Sequence, residues 1–234
     1  KQSPNSLHLL NYQAMAYSAL KRDKEALSSY LKIIKKDPTL AGPYYNMGVI
    51  LKRNERLEEA IDHYKKAISL KADYVQAYNN LGVLYKDREK YEDAIKMFMK
   101  AKALQPDHQN SYYNLALIKK EQGLYEEAIE FLLMVLDLNP EHSEANYLSW
   151  LIYSRLGQFT EGWKYFEYRW KVSPQNGVIW PIQDKPLWKG EKGKHVVVWR
   201  EQGIGDQIIF LSLLPEVKEM CSRLSVYVDP RLQA

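Results

Sequence analysis

The chain has 234 residues, of which 46% are hydrophobic and 26% charged, with a formal net charge of +4. This is a soluble composition with ample material for a core. Lys, Arg, Asp and Glu interleave without a basic run, which argues against a nucleic-acid partner, and no apolar stretch reaches the length of a membrane span.

Residues 1–6 read as a polar, frayed end. From residue 7 the sequence reads as pairs of amphipathic helices, and the pattern returns every 34 residues, over 7–40, 41–74, 75–108, 109–142 and 143–176. Tyr78, Leu81, Gly82, Tyr85, Tyr91, Ala94, Phe98, Ala101 and Pro106 form the skeleton of the third unit. Tyr44, Met47, Gly48, Leu51, Leu57, Ala60, Tyr64 and Ala67 hold the same places one unit earlier. One unit later they are held by Tyr112, Leu115, Ala116, Tyr125, Ala128, Leu132, Val135 and Pro140. Small residues on both helices allow close approach, aromatics fill the space between units, and the proline stops the second helix. The first unit keeps Ala14, Tyr17, Ala26, Tyr30 and Pro38 but carries Asp23 where the others have Leu57, Tyr91 or Tyr125, which suits the end of a stack. The second lacks its proline, at Ala72. In the fifth, Trp150 replaces the small residue of the first helix and Gly162 the alanine of the second. That second helix, with Trp163, Phe166, Tyr168 and Trp170, is too aromatic on too many faces to end in water.

After Asn176 the period stops. Residues 177–194, with Pro181, Pro186, Gly190 and Gly193, read as an irregular connector pinned by Trp180 and Trp188. HVVVW at 195–199 reads as a strand, REQGIGD as a glycine-bearing turn, QIIFLSLLPEVKEM as a helix and LSVYVDP at 224–230 as a second strand. Together they make one βαβ unit of an α/β domain that starts at 195. Two strands do not make a stable parallel sheet alone, so 195–234 is expected either to lean on repeat five or to be truncated. The chain starts at Lys1 without a methionine and is expected to be a piece of something longer.

A 34-residue period with aromatic–x2–Leu–Gly–x2–Tyr, then Ala, Phe and Pro, resembles the tetratricopeptide repeat. The resemblance implies an all-α solenoid of five helix–turn–helix repeats over 7–176, whose first helices line a concave groove for an extended protein or peptide segment. On those helices Asn46, Asn80 and Asn114 recur at the same position. A comparable asparagine ladder in the O-linked N-acetylglucosamine transferase repeats holds the backbone of an extended polypeptide. An amide offers one donor group and one acceptor, which match a peptide unit whatever its side chains. Satisfying neighbouring helix ends is the other use for such residues. Tyr12 and Leu148 interrupt the ladder in repeats one and five. Tyr45, Tyr113 and Tyr147, with Asn79 in the third repeat, flank it on one side. Lys52, Lys86 and Lys120 form a row on the other, with Ser18 and Ser154 in the outer repeats, and would favour an extended acidic or polar chain. The Lys/Asn/Arg set of a two-carboxylate clamp is not found, which disfavours chaperone C-termini as ligands.

Residues 162–234 are similar to bacterial proteins in which such repeats precede a glycosyltransferase-like domain, of the GT-B type shared by heptosyltransferases and O-linked N-acetylglucosamine transferase; EQGIGD is the sharpest part. This implies a Rossmann-like domain in a parent protein that transfers a sugar from a sugar nucleotide, with the repeats as its acceptor-recognition arm. It also implies Asp206 as candidate general base. Gly203 and Gly205 let backbone amides approach a ligand at a helix N-terminus, although Asp206 would serve equally as a plain N-cap. Ile208 occupies the place of a third glycine, so no dinucleotide is indicated. With the donor-binding half absent, this chain alone is expected to be non-catalytic and to hold no cofactor.

The adjacent acids Glu58–Glu59, Glu92–Asp93 and Glu126–Glu127 open the second helices and complement their dipoles. His8, His63, His108, His142 and His195 fall at no metal-ligand spacing, and Cys221 reads as a small core residue. One cysteine and no signal-peptide pattern point to a cytoplasmic, reducing compartment. The alternative to peptide binding is a scaffold that self-associates through its aromatic fifth repeat and the βαβ unit.

Overall fold

The computed structural model of the chain describes residues 5–168, 172, 192–199 and 214–227. The chain divides into two units, residues 1–172 and 173–234. Among the described residues, the first unit consists of ten α-helices: α1 Asn5–Ala19, α2 Asp23–Lys36, α3 Ala41–Arg53, α4 Leu57–Leu70, α5 Val75–Lys86, α6 Tyr91–Leu104, α7 Gln109–Glu121, α8 Tyr125–Leu138, α9 Ser143–Arg155 and α10 Phe159–Trp163. The first helix of each repeat (A helix) packs on its own second helix (B helix), and each B helix packs on the next A helix, down the stack. From α3 onward the A helices start at 41, 75, 109 and 143 and the B helices at 57, 91, 125 and 159, so the sequence period is carried into the backbone. The first helix starts at Asn5, inside the stretch read as a frayed end.

Every A helix ends in the same way. Lys21, Glu55, Glu89, Gly123 and Gly157 take φ of 56°, 59°, 58°, 76° and 72°. The next residue donates its N–H back across the turn, Arg22 to the Tyr17 carbonyl at 2.8 Å and Arg56, Lys90, Leu124 and Gln158 to their counterparts at 2.9 Å. This is the Schellman closure, which satisfies carbonyls that the helix end would otherwise orphan. The B helices end on an extended residue: Asp37, Lys71, Gln105 and Asn139 have φ between −148° and −138°. Lys71 adopts this geometry beside Ala72, so the prolines of the other repeats reinforce a stop that the packing already imposes.

The hairpins are locked by one small–large pair each: Ala14 with Tyr30, Gly48 with Tyr64, Gly82 with Phe98, and Ala116 with Leu132. All four large members are at most 1% exposed, and burying each contributes about 1.5–3 kcal/mol. The fit is tight in the two repeats that carry glycine. A Cβ on Gly48 would lie 2.7 Å from the Tyr64 ring and one on Gly82 2.8 Å from the Phe98 ring.

Repeat five breaks this rule, and its backbone follows. Trp150 now occupies the small position and meets Phe166 edge-on, ring centroids 5.1 Å apart. Two large side chains cannot share the space that Gly82 and Phe98 fill. The expected long second helix stops at Trp163, and the backbone tightens into a 3-10 turn at Phe166–Tyr168, with Tyr165 and Tyr168 donating to carbonyls three residues back. Gly162 also weakens the helix. It is retained because a Cβ there would come within 3.1 Å of Tyr153 Cβ. Of the aromatics in this segment, Trp163 is 62% exposed and stacks on Phe166 at 4.4 Å, whereas Trp170 lies outside the described residues.

In the second unit, β1 (His195–Trp199) pairs in parallel with β2 (Arg223–Tyr227), with His195 opposite Arg223 and Trp199 opposite Tyr227. A helix over Leu214–Met220 packs on β2. Cys221 follows that helix instead of lying within it, with Sγ 3.8 Å from the Lys218 carbonyl oxygen. A two-strand ladder of this length is common to many α/β folds and does not support the Rossmann-like assignment. The glycine turn with Gly203, Gly205 and Asp206, and Trp180 and Trp188 of the connector, lie outside the described residues.

Candidate functional site

The predicted groove residues all fall on A helices, where one face carries positions 45, 46, 49 and 52 and their equivalents at 34-residue steps. Asn46, Asn80, Asn114, Tyr45, Tyr113, Tyr147, Lys52, Lys86 and Lys120 are half-buried, and Asn79 is buried.

The asparagines are tied into the joints between repeats. Asn80 Nδ2 donates to the Tyr45 hydroxyl at 3.2 Å and to the Tyr64 hydroxyl at 3.5 Å. Asn46 holds the same place one repeat earlier, where burial raises the Tyr30 phenol and Asn46 opposes the rise. Phe98 has no hydroxyl, so Asn114 Nδ2 turns to the Asn110 carbonyl at 2.8 Å and to Asn79 Oδ1 at 3.3 Å. The donor half of Asn80 and of Asn114 is therefore engaged. Their Oδ1 atoms receive no donor among the described residues, so the ladder presents acceptors.

The tyrosines stack within their own repeats. The Tyr45 ring sits 4.8 Å from that of Tyr74 and 5.8 Å from that of Tyr64, and Tyr113 stacks on His142 at 5.4 Å. Tyr147 meets Trp150 at 5.5 Å. Burial pushes the Tyr74 phenol up to about 12, with the neighbouring Tyr45 adding to the effect. Burial also raises Tyr64, Tyr45, Tyr30 and Tyr113, so these hydroxyls stay neutral hydrogen-bonding groups.

Two features of this face are not apparent in the linear sequence. The first is an apolar spine between the asparagines and the lysines, formed by Met15, Val49, Val83, Leu117 and Leu151 at the same repeat position. Met15 is 49% and Leu151 41% exposed, and the three between them are half-buried. The 34-residue recurrence of five apolar residues was the available signal, but Val and Leu at helical spacing read as ordinary core. The second is charge segregation. The five A helices carry Lys52, Arg53, Lys86, Lys119, Lys120 and Arg155 against Glu121 and Glu144 alone, while the B helices carry twelve acids and nine lysines. Arg53, Lys119 and Arg155 engage Asp23, Glu127 and Tyr125 of B helices, which leaves Lys52, Lys86 and Lys120 as the cations of the asparagine face. In the lysine row, Lys86 pairs with Asp87 at 3.3 Å and Lys120 with Glu121 at 2.9 Å, both next-residue contacts near the surface. Such pairs are worth about 0–1 kcal/mol, so a ligand carboxylate can replace them.

Family models for the tetratricopeptide repeat match residues 12–39, 29–62 and 73–141, and one described as TPR repeat matches 50–87. The chain carries tetratricopeptide repeats. None of these matches extends past 141, where the repeat with Trp150 and Gly162 begins. No curated protein matches the chain. Among solved structures, MamA is 22% identical with a TM-score of 0.63, the match covering 72% of this chain and 92% of that one. The pilF protein of Pseudomonas aeruginosa is 18% identical with a TM-score of 0.67, over 74% of this chain and 78% of that one. YrrB, described as a TPR protein with an unusual peptide-binding site, is 20% identical with a TM-score of 0.58, over 71% of this chain and 86% of that one. At these identities the likeness is one of fold. Among the described residues no helix is long and apolar enough to cross a membrane.

Proposed function

We propose that the repeats form a protein-binding module that holds an extended peptide along the A-helix face. One observation carries the reading: three chemistries suited to a peptide recur in register on one packed face. Asn46, Asn80 and Asn114 offer polar contacts to a backbone, the Met15–Leu151 spine offers apolar ones, and Lys52, Lys86 and Lys120 offer charge. The peptide-binding site of the structural neighbour YrrB is consistent with this use of the fold. The test is selection of random peptides on the immobilised chain, followed by binding to a Met15→Asp/Leu151→Asp variant. Both substituted residues are well exposed, so the variant is expected to melt like the parent chain and to lose the selected peptides. Unchanged binding would sink the proposal.

In the longer protein suggested by EQGIGD, the repeats would present the acceptor of a sugar-nucleotide-dependent transferase, with Asp206 as general base beside Gly203 and Gly205. That extension rests on the resemblance of residues 162–234 alone, with 201–206 as its sharpest part. Saturable sugar-nucleotide binding by the longer protein, with sugar transfer but not binding lost in Asp206→Asn, supports it, and absence of binding removes it. A specific observation favours one further reading, self-association: Phe159 and Trp163 are 66% and 62% exposed on repeat five. Light scattering across a concentration series decides it, with Trp163→Ser expected to shift any dimer to monomer.

A further inference from the structure

From the spacing and polarity of the A-helix face, we infer that the groove selects an acidic peptide in the polyproline II conformation. Every third residue of the peptide is apolar and sits on the Met15, Val49, Val83, Leu117, Leu151 spine, and its carboxylates reach Lys52, Lys86 and Lys120. The inference rests on the peptide-binding reading above and names the ligand class.

The geometry sets the period. The A helices α5 and α7 touch, and helices in contact lie about 8–10 Å apart, which sets the step from one repeat to the next there. A polyproline II chain rises about 3.1 Å per residue with three residues per turn, so every third side chain returns to the same edge after about 9 Å, close to one repeat. A β-strand turns successive side chains to opposite faces and does not keep every third one on the spine.

Polarity points the same way. Asn80 and Asn114 spend their amide donors within the protein and leave Oδ1 acceptors free of described protein donors. A polyproline II backbone makes no internal hydrogen bonds, so its N–H groups are available to them. The row of Lys52, Lys86 and Lys120, with no acidic residue at the equivalent position of any repeat, directs a negatively charged segment to this face. Lys52 has no ion pair among the described residues, and the Lys86 and Lys120 pairs are shallow.

The test uses three labelled peptides of about fifteen residues, the length that five repeats at three residues each require. One repeats Leu-Glu-Gln, the second repeats Leu-Lys-Gln, and the third has the composition of the first with its leucines gathered at every second position of one stretch. Fluorescence anisotropy is measured at rising salt on the full chain, on Lys52→Ala/Lys86→Ala/Lys120→Ala and on Met15→Asp/Leu151→Asp. The Leu-Glu-Gln peptide is expected to bind about tenfold or more tighter than either control, a difference of about 1.4 kcal/mol. Salt and the lysine variant should each erase the advantage over the Leu-Lys-Gln peptide. Equal binding of the acidic and basic peptides, equal binding of the every-second-leucine peptide, or no binding of any of them overturns the inference. If both charge forms bind equally and Met15→Asp/Leu151→Asp abolishes both, the groove reading survives and only the acidic selection falls. If a bound peptide ignores Met15→Asp/Leu151→Asp, the groove reading itself fails.

Discussion

Gly82→Ala combined with Phe98→Leu probes how the hairpins lock. An alanine at 82 places its Cβ 2.8, 2.9 and 3.0 Å from three ring carbons of Phe98, a residue with no exposed surface. Ordinary carbon contacts lie at about 3.5–4.0 Å, so the ring has to shift inside a packed core. Overpacking of this kind costs about 1–3 kcal/mol. Replacing a mid-helix glycine by alanine returns about 1 kcal/mol, which leaves a net loss of about 1 kcal/mol. Phe98→Leu alone opens a cavity and should cost about 1–2 kcal/mol. In the double variant the new methyl enters the space vacated by the ring, reproducing the Ala116–Leu132 pair of repeat four. The singles then sum to about 2–3 kcal/mol, while the double lies within about 1 kcal/mol of the parent, a coupling of about 2 kcal/mol. Urea unfolding followed by far-ultraviolet circular dichroism measures all four corners of the cycle. Gly42→Ala is the control, because a Cβ added there meets nothing within 4 Å and the substitution should be neutral or slightly stabilising. Additivity of the two substitutions within about 0.5 kcal/mol would refute the packing argument. So would a Gly82→Ala variant more stable than its parent.

Three other outcomes follow from the same geometry. Glu89→Gly should stabilise by up to about 1 kcal/mol, because Glu89 holds a left-handed φ of 58° that Gly123 holds without strain in the next repeat. Gly123→Ala should cost about 1 kcal/mol or more, and thermal melts of the pair check both signs. Asn80→Ala should cost about 1–2 kcal/mol by leaving the Tyr64 hydroxyl without its amide partner, and adding Tyr64→Phe should recover part of that loss in urea unfolding. At high pH the buried phenols favour their neutral forms, so their folded values lie above the ordinary value of about 10. Their contribution is complete below that value and is lost as pH climbs through it towards the folded value of about 12 at Tyr74. Stability measured across this range should fall, less steeply in Tyr74→Phe; a flat profile would contradict the burial of these rings.

The repeat register was legible because it depends on residue size. Ala14, Gly48, Gly82 and Ala116 are small where two helices touch, and their spacing holds through four repeats. The turns were less visible, because Lys21, Glu55 and Glu89 hold the left-handed position without the glycine that would signal it. Trp150 could be read as an exception, but not the helix break it causes, since that required knowing that it faces Phe166. The asparagine ladder was visible as spacing. Its orientation depends on Tyr64, sixteen positions upstream of Asn80, and no local pattern reports which half of an amide a distant hydroxyl will occupy. The apolar spine was hidden for the opposite reason, because Val49, Val83 and Leu117 look like any other core residues until their partial exposure is seen.

Each small–large pair is contained within a single repeat, and its members differ from one repeat to the next. The heritable unit of this solenoid is therefore the hairpin, and a crossover between repeats carries Gly82 along with Phe98. A crossover inside a hairpin, at the Glu89 turn for instance, would join Gly82 to Leu132 and leave a void, or Ala116 to Phe98 and force a clash. Copies gained or lost at the boundaries after 74 and 108 keep every pair matched, which makes lengthening the array structurally cheap and reshuffling its helices costly.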